Sequence, residues 1–204
     1  TERAGQTVVE CPDRPGLIVN RCARPFYGEA LAMFAEGRSA SEIDAAMVAA
    51  GYRMGPFSLI DLIGADINLA ATEGLYGAMG NHPRYFPFPA LRAQVEAGKL
   101  GRKSGKGFLF PDQPGEPPAD AAAISLRIEA ALVNEAFWLL AEGGVEARDI
   151  DTAMALGLNF PRPPFALLER HGRSGILAEL TRLRAAAPAA LEPRYLPAPG
   201  LEAP

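Results

Sequence analysis

Apolar and polar residues alternate along this chain in short blocks, most of them with helical spacing. The exception comes first. Thr7 to Cys11 (TVVEC) is a β-branched run bounded by Gln6 and Pro12, which predicts one short strand. A lone strand needs partners to be stable. From Leu17 to Ala35, apolar residues at Leu17, Val19, Ala23, Phe26, Tyr27, Ala30, Leu31 and Phe34 predict one helix, closed by Glu36-Gly37. Ser41 is expected to cap a second helix, Glu42 to Ala50, through the Ser41-Glu42-Ile43-Asp44 pattern. Pro56 opens a third, PFSLIDLI, which stops at Gly64. Asp66 is expected to cap a fourth, Ile67 to Gly77. A Pro-rich loop (NHPRYFPFP), a helix from Ala90 to Ala97 and a basic, Gly-rich turn (LGRKSGKGFLF) follow. Residues 111–120 (PDQPGEPPAD) hold four prolines in ten positions and read as an extended, semi-rigid linker.

Beyond that linker the pattern recurs. Glu29-Ala30 returns as Glu135-Ala136, 106 positions later, and AEG at 35–37 returns at 141–143. Ile43-Asp44 with Ala46-Met47 returns as Ile150-Asp151 with Ala153-Met154. Pro56-Phe57-x-Leu59 returns as Pro164-Phe165-x-Leu167. PRYFPFPAL at 83–91 returns as PRYLPAPGL at 193–201, 110 positions later. An offset that drifts so little, in order, indicates a tandem duplication. The expected fold class is therefore all-α: two tandem homologous helical bundles forming an intrachain pseudo-dimer, with one short N-terminal strand-like segment. The expected division is residues 1–16 as a residual lead-in, 17–110 as the first unit, 111–120 as linker and 121–204 as a degenerate second unit. Two related units can cover each other's apolar faces.

Composition narrows the function classes. Apolar residues make up 49% of the 204 and charged residues 22%, enough for a sizeable buried core. Net charge is −4, which argues against a nucleic-acid surface. No apolar run approaches the roughly 20 residues needed to span a bilayer, and no signal-peptide pattern opens the chain. A cytoplasmic location without membrane association is the expectation. Cys11 and Cys22 are read as reduced and structural. His82 and His171 have no ligand partners at metal spacing, so no metal site is expected. Thr1 in place of Met is expected of a fragment or processed product.

Chemistry-bearing motifs are few. GRKSGKG at 101–107 lacks the preceding buried strand and following helix of a phosphate loop. It reads as a basic turn, or as an electrostatic contact from Arg102, Lys103 or Lys106 to an anion or a neighbouring domain. Neither Ser-His-Asp nor Cys-His catalysis is supported by two such histidines. Asp61 and Asp66 are assigned no acid–base role. Asn20, in PGLIVNR, is a polar amide at the head of an apolar helix. On residue chemistry alone it either bonds local backbone or serves a site.

Taken in order, PGLIVNR, EAL, EG, IDAAM, YRMGPFSLIDLIG and LGRKSGKGF resemble the C-terminal helical domain of the 3-hydroxyacyl-CoA dehydrogenases. The likeness covers Thr7 to Phe110, and the second unit resembles the additional C-terminal repeat of longer members. RPFYGEA, at 24–30, looks closest to bacterial enzymes acting on 3-hydroxybutyryl-CoA or 3-hydroxyadipyl-CoA. The resemblance implies a substrate-closing part of an NAD-dependent enzyme that oxidises an L-3-hydroxyacyl-CoA to the 3-oxoacyl-CoA, in fatty-acid or phenylacetate-type degradation. It implies that NAD and a catalytic His–Glu pair belong to a Rossmann domain absent from these residues. The chain alone would then bind no cofactor and be inactive. The implied partners are acyl-CoA, that Rossmann domain and a possible homo-oligomer. By position Asn20 matches the active-site asparagine, and Arg53, Met54, Pro56, Phe57 and Leu59 match the acyl-facing wall. The family often has Pro at the place of Arg53 and an acidic residue at that of Ser58. Arg53 is either solvated or faces an ω-carboxylate. Ile128 or a near neighbour is expected where the second unit would hold its asparagine, and Pro163 replaces Gly55. The competing expectations are a non-catalytic helical interaction module and the helical domain of another Rossmann-linked hydroxy-acid dehydrogenase.

Overall fold

The computed structural model describes residues 7–202. Regular structure among them is helical, and the only ladder pairing is an isolated antiparallel bridge between Gly101 and Lys106. Thr7–Cys11 is therefore not a strand. Its β-branched residues find no neighbouring strand to pair with, and Val8 stays 47% exposed.

The apolar run after Gly16 forms two helices where periodicity predicts one. They are α1 (Val19–Cys22) and α2 (Arg24–Ala35). Pro25 causes the break, because it has no N–H to offer the Arg21 carbonyl and its ring crowds that carbonyl. α3 (Ala40–Ala49) starts two residues earlier than expected. Its cap is Ser39, whose hydroxyl accepts the Glu42 N–H at 3.2 Å while Glu42 reaches back to the Ser39 N–H. Ser41 instead accepts the N–H of Gly115 from the linker, at 2.8 Å. α4 (Pro56–Ile63) and α5 (Ala65–Ala78) are separated by Gly64 at φ 113°, a conformation open to glycine. Asp66 lies inside α5 and does not cap it; its carboxylate pairs with Lys103 at 2.5 Å. α6 (Pro89–Glu96) ends the first half.

The second half holds α7 (Ala121–Ala141), α8 (Ala147–Leu158) and α9 (Pro164–Ala186), the last kinked at Gly172. α7 is the axis of the molecule. It packs on α9, α2 and α3, and it is buried on nearly every face from Ile124 to Leu139. One apolar cluster runs through both halves, from Phe26, Met47 and Ile60 to Leu132, Ile150 and Leu180.

Charged groups cross that core in two matching sets. Arg21 donates to Glu135 (2.8 Å) and, through both terminal nitrogens, to Glu142 (2.6 Å each). Arg127 donates to Glu29 (2.8 Å) and to Glu36 (2.6 and 2.9 Å). Tyr85 and Arg84 complete the first set on Glu135, and Tyr195 and Arg194 complete the second on Glu29. Each half supplies cations to the other half's carboxylates, the reciprocal pattern of an isologous interface. Arg21 and Arg127 thus occupy equivalent places. The counterpart of Asn20 is Leu126, whereas Ile128 matches Cys22.

Candidate functional site

Gly16 (φ 77°) and Leu17 (φ 49°) turn the chain into α1 through two consecutive left-handed residues. Leu17 holds that strained conformation with its side chain 51% exposed. Asn20 follows on the first turn of α1. Its side chain is exposed and makes no hydrogen bond to another described residue; α1 has no side-chain cap. The backbone-bonding explanation for this amide therefore fails. What the protein does hold is the Asn20 main chain: its carbonyl accepts Arg24 Nε at 3.1 Å, and Arg24 is pinned by Thr72 (3.0 Å) and stacks over Tyr27. The free amide can donate and accept at once. It lines a hollow of about 550 Å³ with Cys11, Leu17, Val19, Leu156 and Gly157, so α8 of the second half forms its far wall.

Arg53, Met54 and Leu59 line a second hollow, about 390 Å³, with Phe26, Tyr52, Leu62 and Phe160. The two hollows lie on either side of the C-terminal end of α8, where Leu156-Gly157 faces one and Leu158-Asn159-Phe160 the other. Pro56 and Phe57 are buried, and Phe57 is 0% exposed, packed at 5.5 Å from Phe34 and 4.9 Å from Phe108. They back the wall and offer no surface to a ligand in this arrangement.

Two aspartates hold the segment in place. Asp44 accepts the N–H groups of Phe57 (2.9 Å) and Ser58 (2.7 Å), anchoring the start of α4. Burial pushes its carboxyl up to about 6, against the pull of those bonds. A Cβ on Gly55 would collide with Asp44. In the second half Pro163 carries that Cβ, and the equivalent Asp151 accepts only the N–H of Phe165, at 3.0 Å. Asp61 accepts three N–H groups, from Phe108, Leu109 and Phe110, at 2.7–2.8 Å. Cβ atoms on Gly101 or Gly107 would strike Asp61. The glycines of GRKSGKG thus let a turn wrap a buried carboxylate. With no strand before it, this turn is unfit to cradle a cofactor's phosphates. Nor do His, Cys, Asp and Glu cluster in threes suited to a metal ion among the described residues. No helix of the described residues is long and apolar enough to cross a membrane.

The description "3-hydroxyacyl-CoA dehydrogenase, C-terminal domain" matches residues 16–110 and again 124–202. The chain belongs to this family. The 3-hydroxyadipyl-CoA dehydrogenase of Escherichia coli K12 is 34% identical over 178 residues, covering 83% of this chain and 37% of that protein. The human mitochondrial hydroxyacyl-coenzyme A dehydrogenase is 40% identical over 106 residues, covering 51% of this chain and 34% of that protein. The crystal structure of 3-hydroxybutyryl-CoA dehydrogenase from E. coli K12 superposes with a TM-score of 0.83 at 26% identity. That match covers 97% of this chain and 61% of the other. The chain thus spans between a third and two fifths of the curated relatives it matches. The all-α architecture and membership of an oxidoreductase family acting in acyl-CoA metabolism stand on these likenesses.

The motifs did not single out Arg21, Arg127, Arg84 or Arg194. A signal was available: Arg21 and Arg127 are charges in apolar helical stretches, 106 positions apart, the same offset as Glu29 and Glu135.

Proposed function

We propose that this chain is the substrate-closing helical part of an NAD-dependent L-3-hydroxyacyl-CoA dehydrogenase. NAD and the catalytic acid–base pair would be held by a cofactor domain docked against the face that carries Asn20. The carrying observation is the Asn20 amide, fixed by its main chain, unbonded at its side chain and set beside a hollow rimmed by exposed Leu17 and Leu156. An amide so placed can orient a substrate oxygen and a neighbouring donor together. The relatives named for 3-hydroxyadipyl-CoA and 3-hydroxybutyryl-CoA support a CoA thioester as substrate. Met54 and Leu59, with Arg53 at the rim, would meet the acyl group, and Pro56 and Phe57 would support them from behind. In this reading residues 17–110 carry the site. Residues 121–204 act as a structural partner, with Leu126 at the place of the asparagine.

The test is a chimera joining this chain to the cofactor domain of the E. coli 3-hydroxyadipyl-CoA dehydrogenase. The chimera is expected to oxidise 3-hydroxyacyl-CoA with NAD, and the 204-residue chain alone is not. Asn20→Ala in the chimera lowers kcat by roughly ten- to a thousandfold, one or two positioning bonds at ~1.4 kcal/mol per factor of ten. Unchanged kinetics would leave Asn20 without a catalytic role, and turnover by the isolated chain would overturn the division of labour.

A further inference from the structure

Arg53 and Arg102 are the only charged residues lining the 390 Å³ hollow. Arg53 comes from the turn before α4 and Arg102 from the GRKSGKG turn, so two separate segments aim cations at one space. Both are exposed, and neither has a carboxylate within 4.0 Å among the described residues. Their neighbours are already satisfied: Lys103 is paired with Asp66, and Asp61 is saturated by three backbone N–H groups. Arg53 and Arg102 also border an adjoining hollow of about 570 Å³ that Asp61 and Asp112 line, but neither aspartate lines this one. The remaining lining is apolar or aromatic apart from Asn159, which ends α8 in the left-handed conformation at φ 52°. An apolar slot with two unpaired guanidinium groups suits a ligand with a methylene chain and a terminal anion, since guanidinium matches a carboxylate's two oxygens.

We propose that this hollow takes the distal end of a dicarboxylic acyl chain, with Arg53 and Arg102 together binding its ω-carboxylate. The inference rests on the dehydrogenase reading for the direction of the chain: thioester end near Asn20, distal end beyond the end of α8. It adds Arg102, and through Phe160 it gives the second half a part in choosing the substrate.

The experiment follows the arginine Nε–H and Phe160 amide signals of the ¹⁵N-labelled chain while adipyl-CoA or hexanoyl-CoA is added. These probes differ only in the ω-carboxylate. Adipyl-CoA is expected to shift all three signals, whereas hexanoyl-CoA leaves both arginine signals in place and moves the Phe160 amide alone. Arg53→Gln and Arg102→Gln should each weaken adipyl-CoA binding by about three- to tenfold, modest because the pair is solvent-accessible. Equal arginine shifts with hexanoyl-CoA, equal arginine shifts with inorganic phosphate, or no shift with adipyl-CoA would overturn the proposal. A chimera that turns over 3-hydroxybutyryl-CoA while the arginine signals stay still removes this inference alone. Arginine shifts with a chimera that turns over nothing remove the dehydrogenase reading alone.

Discussion

Glu29 is a carboxylate with no contact to solvent, and its ionisation is held by what crosses from the other half. Burial alone would raise its pKa. Arg194 (2.6 Å) and Arg127 (2.8 Å) outweigh burial and hold it below its ordinary 4.5. Gly28 makes room for one of these partners, since a Cβ there would collide with the Arg194 guanidinium. Removing one member of such a set strands the others. Glu29→Gln is therefore expected to destabilise the fold by about 3–5 kcal/mol near neutral pH. The sign with pH follows from the depressed value. On acidification the unfolded chain takes up the proton first, so the ionised Glu29 contributes fully above 4.5 and its contribution is lost as pH falls below that value. Urea midpoints of the parent and Glu29→Gln should converge as pH drops below that point. A gap that stays constant there would show that Glu29 is not ionised in the folded chain.

Helix positions were legible from periodicity, but what sets their ends and angles was not. The break between α1 and α2 follows from Pro25, a residue visible in the chain yet outvoted by eight apolar positions in register. Ser39 outcompeted Ser41 because its hydroxyl and Glu42 satisfy each other three residues apart, whereas Ser41 is drawn to the linker. The Gly-rich turn was recognisable as a turn, but its organising group, Asp61, lies some forty residues upstream and carries no local mark. Asn20 was legible only through the ordered motifs around it. The pairing of Arg53 with Arg102 was not legible, because it depends on two turns meeting in space. The Asp61 anchor has a measurable consequence. Asp61→Ala leaves three N–H groups without their acceptor and is expected to cost about 2–4 kcal/mol. Hydrogen exchange should accelerate selectively at Phe108, Leu109 and Phe110. Unchanged protection at these amides would mean that the turn holds itself.

At the scale of the molecule, the buried Arg–Glu and Tyr–Glu bonds that cross between the halves come in mirror-image sets. Arg21 uses Glu135 and Glu142; Arg127 uses Glu29 and Glu36. Tyr85 donates to Glu135 at 2.5 Å, and Tyr195 to Glu29 at 3.1 Å. The first half therefore contains both members of each type: Arg21, Arg84 and Tyr85 as donors, Glu29 and Glu36 as acceptors. Cut away from the second half, it strands Glu29 and Arg21 in an apolar interior, a state too costly to persist as a folded monomer. A second copy of the same half offers the missing partners with the same geometry, Arg21 of each meeting Glu29 and Glu36 of the other. A chain ending at Asp112 is thus expected to form a homodimer whose stability depends on its concentration. Sedimentation equilibrium and denaturation at several concentrations check this. Arg21→Ala in the truncated chain should abolish the dimer, because two-fold symmetry removes the bond twice. A truncated chain that stays monomeric, soluble and as stable as its parent would show that the two halves do not bury each other's faces.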